Sequence, residues 1–344
     1  MKAIRMIEPG KPLEMQDIPI PSAGDGDVLV RVRASGICHS DAHYRAGRSS
    51  MGGLPITLGH EIAGEVEWVG SNVNTVQAGQ RVCLHYNLSC GECYYCQRGY
   101  EQFCTTVRMI GHHIDGGYAE YIVAPARNAI PLPDEISVEE GATLMCASAT
   151  AFHALRRGRV KAGETVAVFG VGGLGLSAIQ LARAMGAVEV YAVDIKRDKL
   201  ELASAYGAIP IDASGLDAVG EIRRLTKDRG VDVALEMIGQ PGTVRQTIES
   251  LGMLGRAVIV GLGQAPLEVH PYQTLIGQEA EIIGSNDHLL EELPLLIDLA
   301  RRKILDTSRV VSQTLPLDAD RVNRRLDELE QYTSDIRAVI VQPD

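Results

Sequence analysis

The sequence predicts an α/β protein of two parts, a β-rich domain and a doubly wound parallel sheet with helices on both faces. Three observations lead there. The 344 residues exceed what one hydrophobic core usually holds. Up to about residue 147 the chain runs in short β-like stretches broken by Gly, Pro and Asp, and from about 148 strand and helix patterns alternate. A G-x-G-x-x-G run, Gly170 to Gly175, stands where the first of the later strands gives way to a helix.

In the first part, 27–34 (DVLVRVRA) alternates apolar and polar residues, the period of a half-buried strand. The runs 62–70 (IAGEVEWVG), 81–84 (RVCL) and 118–124 (YAEYIVA) predict further strands. In the second part, 165–170 (TVAVFG) predicts a strand feeding a helix that ends near Met185. Strand 188–193, helix 197–206 and a short strand at 209–211 come next. Strands at 231–237, 256–262 and 280–285 follow, with amphipathic stretches between. Helices at 289–302 and 318–331 lead to a last strand, 337–341 (RAVIV). No internal repeat or low-complexity segment is visible.

Hydrophobic residues are 45% of the chain but aromatics only 4%, so packing must rest on Val, Ile, Leu and Ala. The formal net charge of -11, with no long basic run, argues against nucleic acid or an anionic membrane surface as the main partner. The N-terminus (MKAIRMIEPGKPLEMQ) has no continuous apolar region, so no signal peptide is expected. The longest apolar stretch, 166–182, is interrupted by glycines, a serine and a glutamine, and reads as strand, turn and helix rather than a bilayer span. Clustered thiols without a secretion signal suit a reducing cytoplasm.

The glycine run has the context that a dinucleotide site requires. Gly170 makes the tight turn, Gly172 admits the pyrophosphate, and Gly175 lets the helix pack on the strand, with Gly173 and Leu174 opening that helix. An anion then sits at unpaired N–H groups of the helix N-terminus. Asp194 ends the next strand nineteen residues after Gly175. Its carboxylate would accept the ribose hydroxyls and repel a 2′-phosphate, which favours NAD. Lys196 and Arg197 stand close by and soften the exclusion of NADP.

Cys90, Cys93, Cys96 and Cys104 are spaced C-x2-C-x2-C-x7-C. Four thiolates this close, with glycines to turn the backbone, can close tetrahedrally on one Zn2+ and leave no position open, which makes a structural site. The alternatives are a reduced metal-free loop or a disulfide pair. Three cysteines remain. Cys38 lies in CHSDAH, near His60 and Glu61 in GHE, and Cys146 lies in an alanine-rich segment. Two thiolates and an imidazole suit Zn2+ with one open position, hence Lewis-acid chemistry. Read alone, Cys146 is equally a small buried hydrophobe. Cys83 ends a valine-rich strand and reads as core, and His85, His112, His113, His153, His270 and His288 have no spacing that demands metal.

The segments G-I-C38-H-S-D-A-H43 and L-G-H60-E61-I-A-G-E-V, the four-cysteine lobe, the glycine run and the final strand occur in the order found in the zinc-dependent medium-chain alcohol dehydrogenases. The resemblance covers essentially the whole chain. It implies a GroES-like catalytic domain over 1–147 and 286–344, with a structural zinc lobe at about 88–106, and a Rossmann NAD-binding domain over 148–285. It implies that Cys38, His60 and Cys146 bind catalytic zinc, with Glu61 as an alternative ligand and Asp41 orienting the histidine. With the four-cysteine site this makes two Zn2+ per subunit. Ser40 would take the alcohol proton and pass it through the nicotinamide ribose to His43. Lys199 would help hold the adenosine, and Arg337 the pyrophosphate. His39 stands where some relatives carry a pyrophosphate-binding arginine, and Tyr86, Asn87 and Leu88 correspond to a wall of the substrate pocket.

The expected activity is reversible, NAD-dependent hydride transfer between primary or secondary alcohols and aldehydes or ketones. A polyol, sugar or amino-alcohol dehydrogenase is the alternative within the same superfold, although such enzymes often carry glutamate where Cys146 stands. A zinc-free enoyl or quinone reductase would leave both metal sets unexplained. A non-catalytic NAD- and zinc-binding protein would need neither Ser40 nor His43. The sheet edge around 280–285 must be covered, and the resemblance implies a homo-oligomer, dimer or tetramer.

Overall fold

The computed structural model describes residues 1–263, 265–331 and 336–343. It comprises two compact units. One is Met1–Cys146 with Leu289–Lys303 and Thr307–Asp344, and the other is Ala147–His288 with Ile304–Asp306.

The first unit is built on the eleven-residue strand Asp27–Ile37, whose side chains alternate between buried and half-buried up to Ala34. Val28, Val30 and Val32 point into the core, and full burial of such a side chain stabilises by about 1.5–3 kcal/mol. The prediction of 27–34 stopped short because Ser35, Gly36 and Ile37 are buried on both faces and the alternation is lost. Glu61–Val69 pairs antiparallel along one side of this strand. On its other side Tyr121–Pro125 pairs with the first half and Arg337–Val341 with the last. Arg81–Leu84 and Ala129–Pro131 extend the sheet beyond Glu61–Val69, and Val311–Leu315 extends it beyond Arg337–Val341. A second antiparallel sheet joins Glu14–Asp17, Lys2–Met6 and Ile56–Thr57. Its N-terminal hairpin was not predicted, since charges interrupt both short strands. Tyr118, Leu58, Ile4 and Met6 share a core with Ile37 and Ile340.

The helix Ala319–Glu330 begins where expected because the Asp318 side chain accepts the Arg321 N–H at 2.9 Å. The predicted helix 289–302 opens instead as a 3-10 turn, Leu290–Glu292, and continues as Leu293–Arg301.

The second unit holds six parallel strands in the order Ile209–Asp212, Glu189–Asp194, Thr165–Phe169, Val231–Glu236, Leu251–Ile259, Glu281–Gly284. The order reverses between Thr165–Phe169 and Val231–Glu236, and such a switch point is where open α/β sheets bind ligands at their carboxyl ends. Helices Gly173–Ala184, Arg197–Ala205, Ala218–Leu225 and Pro241–Glu249 connect the strands. Leu251–Ile259 starts earlier than predicted, because Gly252 and Gly255 mask a strand whose register shifts against its neighbour. No helix among the described residues is long and apolar enough to cross a membrane.

Candidate active site

Strand pairing in the first unit assembles a buried donor cluster. Gly36 lies opposite Glu61, and Ile37 opposite Ala338. Cys38, which follows one strand, therefore comes beside His60, which precedes the next, with Arg337 at the start of the third. Cys146 joins them from the π-helical turn Leu144–Ser148. The ligand atoms of Cys38, His60, Glu61 and Cys146 all lie within 4.8 Å of one another, and all four residues are buried. The two sulfurs are 4.0 Å apart.

Cys38 caps the helix His39–Arg45, and its N–H donates to Asp41 Oδ2 at 2.9 Å. Asp41 Oδ1 stands 3.3 Å from His60 Nδ1, which leaves Nε2 for the cluster. Tyr118 also donates its hydroxyl to Asp41 Oδ2 at 2.9 Å. Burial, then the charge of Asp41, pushes that phenol well above its usual range, so it stays a donor. Burial opposes a charge on His60, but Asp41 and Cys38 together outweigh it and raise the imidazole well above the ordinary histidine value. The Cys146 contact holds the Cys38 thiol well below its usual value against burial, while the same contact and burial push Cys146 well above it. The pair thus favours one thiolate and one thiol. A soft divalent cation in place of the shared proton would let both ionise, so these residues fit Zn2+.

Glu61 lies against Gly36, where a Cβ would fall 2.1 Å from Glu61 Oε2. Burial lifts its carboxyl to about 8, against the opposing pull of Arg337. Arg337 Nη2 is 2.9 Å from Glu61 Oε1, and Nη1 donates to the Ile37 carbonyl at 3.4 Å. The guanidinium faces this cluster within the first unit.

Ser40 Oγ lies 3.8 Å from Cys38 Sγ. His43, one turn further along the same helix, packs edge-on against His39 with ring centres 4.9 Å apart. The His43 Nε2 atom is buried and has no hydrogen-bond partner among the described residues. Burial lowers the pKa of both imidazoles, joined by the neighbouring positive groups Arg48 for His43 and His43 for His39. Tyr86 closes one side of His60, edge-on with ring centres 5.1 Å apart.

The second cluster joins Cys90, Cys93, Cys96 and Cys104, with ligand atoms again within 4.8 Å of one another. Cys90 Sγ is 3.5 Å from Cys104 Sγ and 3.9 Å from Cys96 Sγ. The Cys90 N–H donates to Cys104 Sγ and the Cys93 N–H to Cys90 Sγ, each at 3.3 Å. Backbone N–H groups, that of Cys96 foremost, pull the Cys93 thiol down to about 6. Four converging sulfurs, already accepting backbone N–H bonds, fit a closed tetrahedral Zn2+. Cys83 is fully buried, and burial pushes its thiol to about 12, as a core residue requires.

In the second unit Gly170 takes a left-handed φ of 95°, and a Cβ at Gly175 would fall 2.0 Å from the Gly170 carbonyl oxygen. Gly172 precedes the helix Gly173–Ala184, which Leu174 also opens, and a Cβ on Gly172 would meet nothing within 4 Å. That open side, bounded by helix N–H groups, fits a pyrophosphate. Asp194 Oδ2 accepts the Val171 N–H at 2.7 Å, while Oδ1 accepts those of Ile195 at 2.8 Å and Lys196 at 3.0 Å. Lys199 lies half-buried on the helix Arg197–Ala205. His39 and Arg337 belong to the first unit and the glycine turn to the second.

Sequence reasoning missed Tyr118, Gly36 and Gly59. Tyr118 had a readable signal in D-G-G-Y-A-E-Y, a turn followed by strand. The glycines had none, because what demands them lies on another segment.

Residues 24–134 match the family of alcohol dehydrogenase GroES-like domains, and residues 173–302 the zinc-binding dehydrogenase family. An NAD-dependent alcohol dehydrogenase of Sulfurisphaera tokodaii is 36% identical over 99% of this chain and 100% of that protein. Another from Saccharolobus solfataricus is 34% identical over the same shares. A crystal structure of an NAD-dependent alcohol dehydrogenase, 30% identical, superposes with a TM-score of 0.93 over 100% of both chains. Full-length identity of this order, with both families matched in chain order, means that the chain belongs to the zinc-dependent medium-chain alcohol dehydrogenases.

Proposed function

We infer that the protein is an NAD-dependent alcohol dehydrogenase, an oxidoreductase that interconverts primary or secondary alcohols with aldehydes or ketones. The observation that carries this reading is the buried set Cys38, His60 and Cys146 with Ser40 Oγ 3.8 Å from the first sulfur. When bound there, Zn2+ supplies Lewis acidity to the alcohol oxygen, and NAD at the glycine turn supplies the hydride acceptor. Both thiolates and His60 Nε2 would hold the metal, and Asp41 fixes the imidazole. Glu61 stands by as a further donor, balanced by Arg337. Ser40 accepts the alcohol proton, and His43, on the same helical face, delivers it to solvent. The glycine turn binds pyrophosphate, Asp194 the adenosine ribose, and Lys199 supports the adenosine, so NAD is preferred over NADP. His39 serves the cofactor's phosphates, while the Arg337 guanidinium is engaged with Glu61 and the Ile37 carbonyl. Cys90, Cys93, Cys96 and Cys104 hold a second, structural Zn2+, two per chain. The enzyme works in the cytoplasm as a homo-oligomer, with the edge strand Glu281–Gly284 offering unpaired backbone groups for association.

The test follows reduced-nicotinamide absorbance with NAD and a panel of simple, branched, benzylic and polyhydroxy alcohols, before and after chelation and zinc restoration. Zinc-dependent turnover of monohydric alcohols is expected. Activity confined to polyols would move the assignment to a polyol dehydrogenase, and bound NAD with no turnover would remove the enzymatic reading.

A further inference from the structure

We propose that Tyr118 is a positioning residue for the Cys38, His60 and Cys146 centre, holding His60 from two sides through Asp41 and Gly59. The proposal rests on the reading of that centre as a zinc site and adds a residue to it.

Asp41 is fully buried, and its two oxygens have separate tasks. Oδ1 faces His60 Nδ1 at 3.3 Å, while Oδ2 accepts both the Cys38 N–H and the Tyr118 O–H, each at 2.9 Å. The Cys38 bond alone ties the carboxylate to its own helix but leaves its plane free to turn. A second donor on the same oxygen, from a segment 77 residues away, stops that rotation and keeps Oδ1 aimed at the imidazole. Nδ1 is thereby held in the protonated tautomer and Nε2 is left to the metal.

The ring acts on the other flank. Gly59 has a left-handed φ of 92°, and a Cβ there would fall 2.4 Å from Tyr118 Cδ1. The Cδ1–Cε1 side of the ring therefore lies on the backbone immediately before His60. Main-chain bonds hold the contact in place. Tyr118 N–H donates to the Leu58 carbonyl at 3.0 Å, Gly117 N–H to the Gly59 carbonyl at 2.8 Å, and Ile4 N–H to the Tyr118 carbonyl at 2.8 Å.

Tyr118 is fully buried among apolar neighbours. Phenylalanine would fill this volume without desolvating a hydroxyl, so packing alone does not account for tyrosine. The hydroxyl donates to a carboxylate, and a hydrogen bond to a charged acceptor is of the stronger kind.

The zinc-loaded full chain of Tyr118→Phe tests this by chelator competition, with the four-cysteine site as an internal control in the same molecule. Zinc affinity at the Cys38, His60 and Cys146 centre should fall about tenfold, the lower end of the range for outer partners of metal ligands, while the four-cysteine site is unchanged. The cobalt-substituted centre should show a shifted d–d absorption. In an Asp41→Asn background the same Tyr118→Phe change should cost little further, since the effect passes through the carboxylate. Undiminished affinity with an unshifted cobalt spectrum would overturn the proposal. So would equal weakening of both sites with a lower unfolding temperature of the metal-free protein, which is the pattern of lost packing. Wild-type protein that holds Zn2+ only at the four cysteines would instead remove the underlying reading of the centre.

Discussion

Arg337 and Glu61 form an ion pair, Nη2 to Oε1 at 2.9 Å, with side chains 7% and 0% exposed. Both side chains are buried, and removing one leaves polar atoms of the other without their partner, at a cost of about 1–3 kcal/mol. Arg337→Gln should therefore lower the stability of the zinc-loaded protein by about that amount in urea denaturation. Adding Glu61→Gln should recover part of the loss, since the two amides can hydrogen-bond to each other. A double variant as unstable as the sum of the singles would show that the two residues act independently.

Ser40 sits beside the donor cluster without being one of its ligands, and His43 follows one helical turn later. Ser40→Ala should lower kcat about 100-fold, the smaller end of what a positioned proton acceptor contributes. Zinc content and NAD affinity should stay near wild type. Unchanged turnover in the same assay would leave Ser40 as an ordinary polar residue of the helix.

The parts of the site that were legible in the sequence are those whose determinants lie close together in the chain. The glycine turn, the four-cysteine lobe, and Cys38 with its helix are each contained in fewer than twenty residues. Cys146 is different. It lies 108 residues from Cys38, in a segment whose composition is that of core, and only the resemblance pointed to it before the fold placed its sulfur 4.0 Å away. Gly36 and Gly59 are required by Glu61 and Tyr118, which approach from other segments, so no local pattern could mark them. Arg337 was expected at a phosphate, and the fold sets it against the carboxyl group of Glu61, which the resemblance had placed only as an alternative metal ligand.

The Asp194 carboxylate accepts three N–H groups, those of Val171, Ile195 and Lys196. It thereby ties the glycine turn to its own strand before any ribose is bound. In Asp194→Asn one oxygen becomes an amide that cannot accept, so at least one of these N–H groups loses its bond, at a cost of about 1–3 kcal/mol. The KM for NAD should rise about tenfold. That for NADP should rise less, since repulsion of the 2′-phosphate is relieved. Parallel increases for both cofactors would show that Asp194 shapes the turn without discriminating between them.

His112 is 8% exposed, with Nε2 3.0 Å from Ser49 Oγ and Nδ1 3.3 Å from His113 Nδ1. Burial first, then the neighbouring His113 and His60, holds it down at about 4. An unfolded histidine titrates at about 6.5, so between about pH 4 and 6.5 the unfolded chain binds more protons at this position than the folded one. Its contribution to stability is complete above that window and declines as pH falls through it. Melting temperature against pH should show a shallower acid limb in His112→Asn than in the wild type. Parallel limbs would assign the acid sensitivity to other groups.

The lobe around Cys90, Cys93, Cys96 and Cys104 has little else to hold it together. Its two 3-10 turns, Cys96–Arg98 and Glu101–Phe103, bury no residue, and Tyr94, Tyr95, Tyr100 and Phe103 stand 39–63% exposed. Glu101 anchors it from two sides, accepting the Leu290 N–H at 2.6 Å and facing Arg127 Nη2 at 3.3 Å. Without a core, the order of this segment must come from the metal, as in small zinc-dependent folds. Cys104→Ser should lower zinc content by one equivalent per chain and open the lobe to limited proteolysis. The Cys38, His60 and Cys146 centre draws no ligand from the lobe, so its zinc and its alcohol-dependent reduction of NAD should persist at low temperature, while the half-life of activity on heating shortens. Loss of both equivalents, or of all activity in the cold, would show that the two metal centres fold as a single unit.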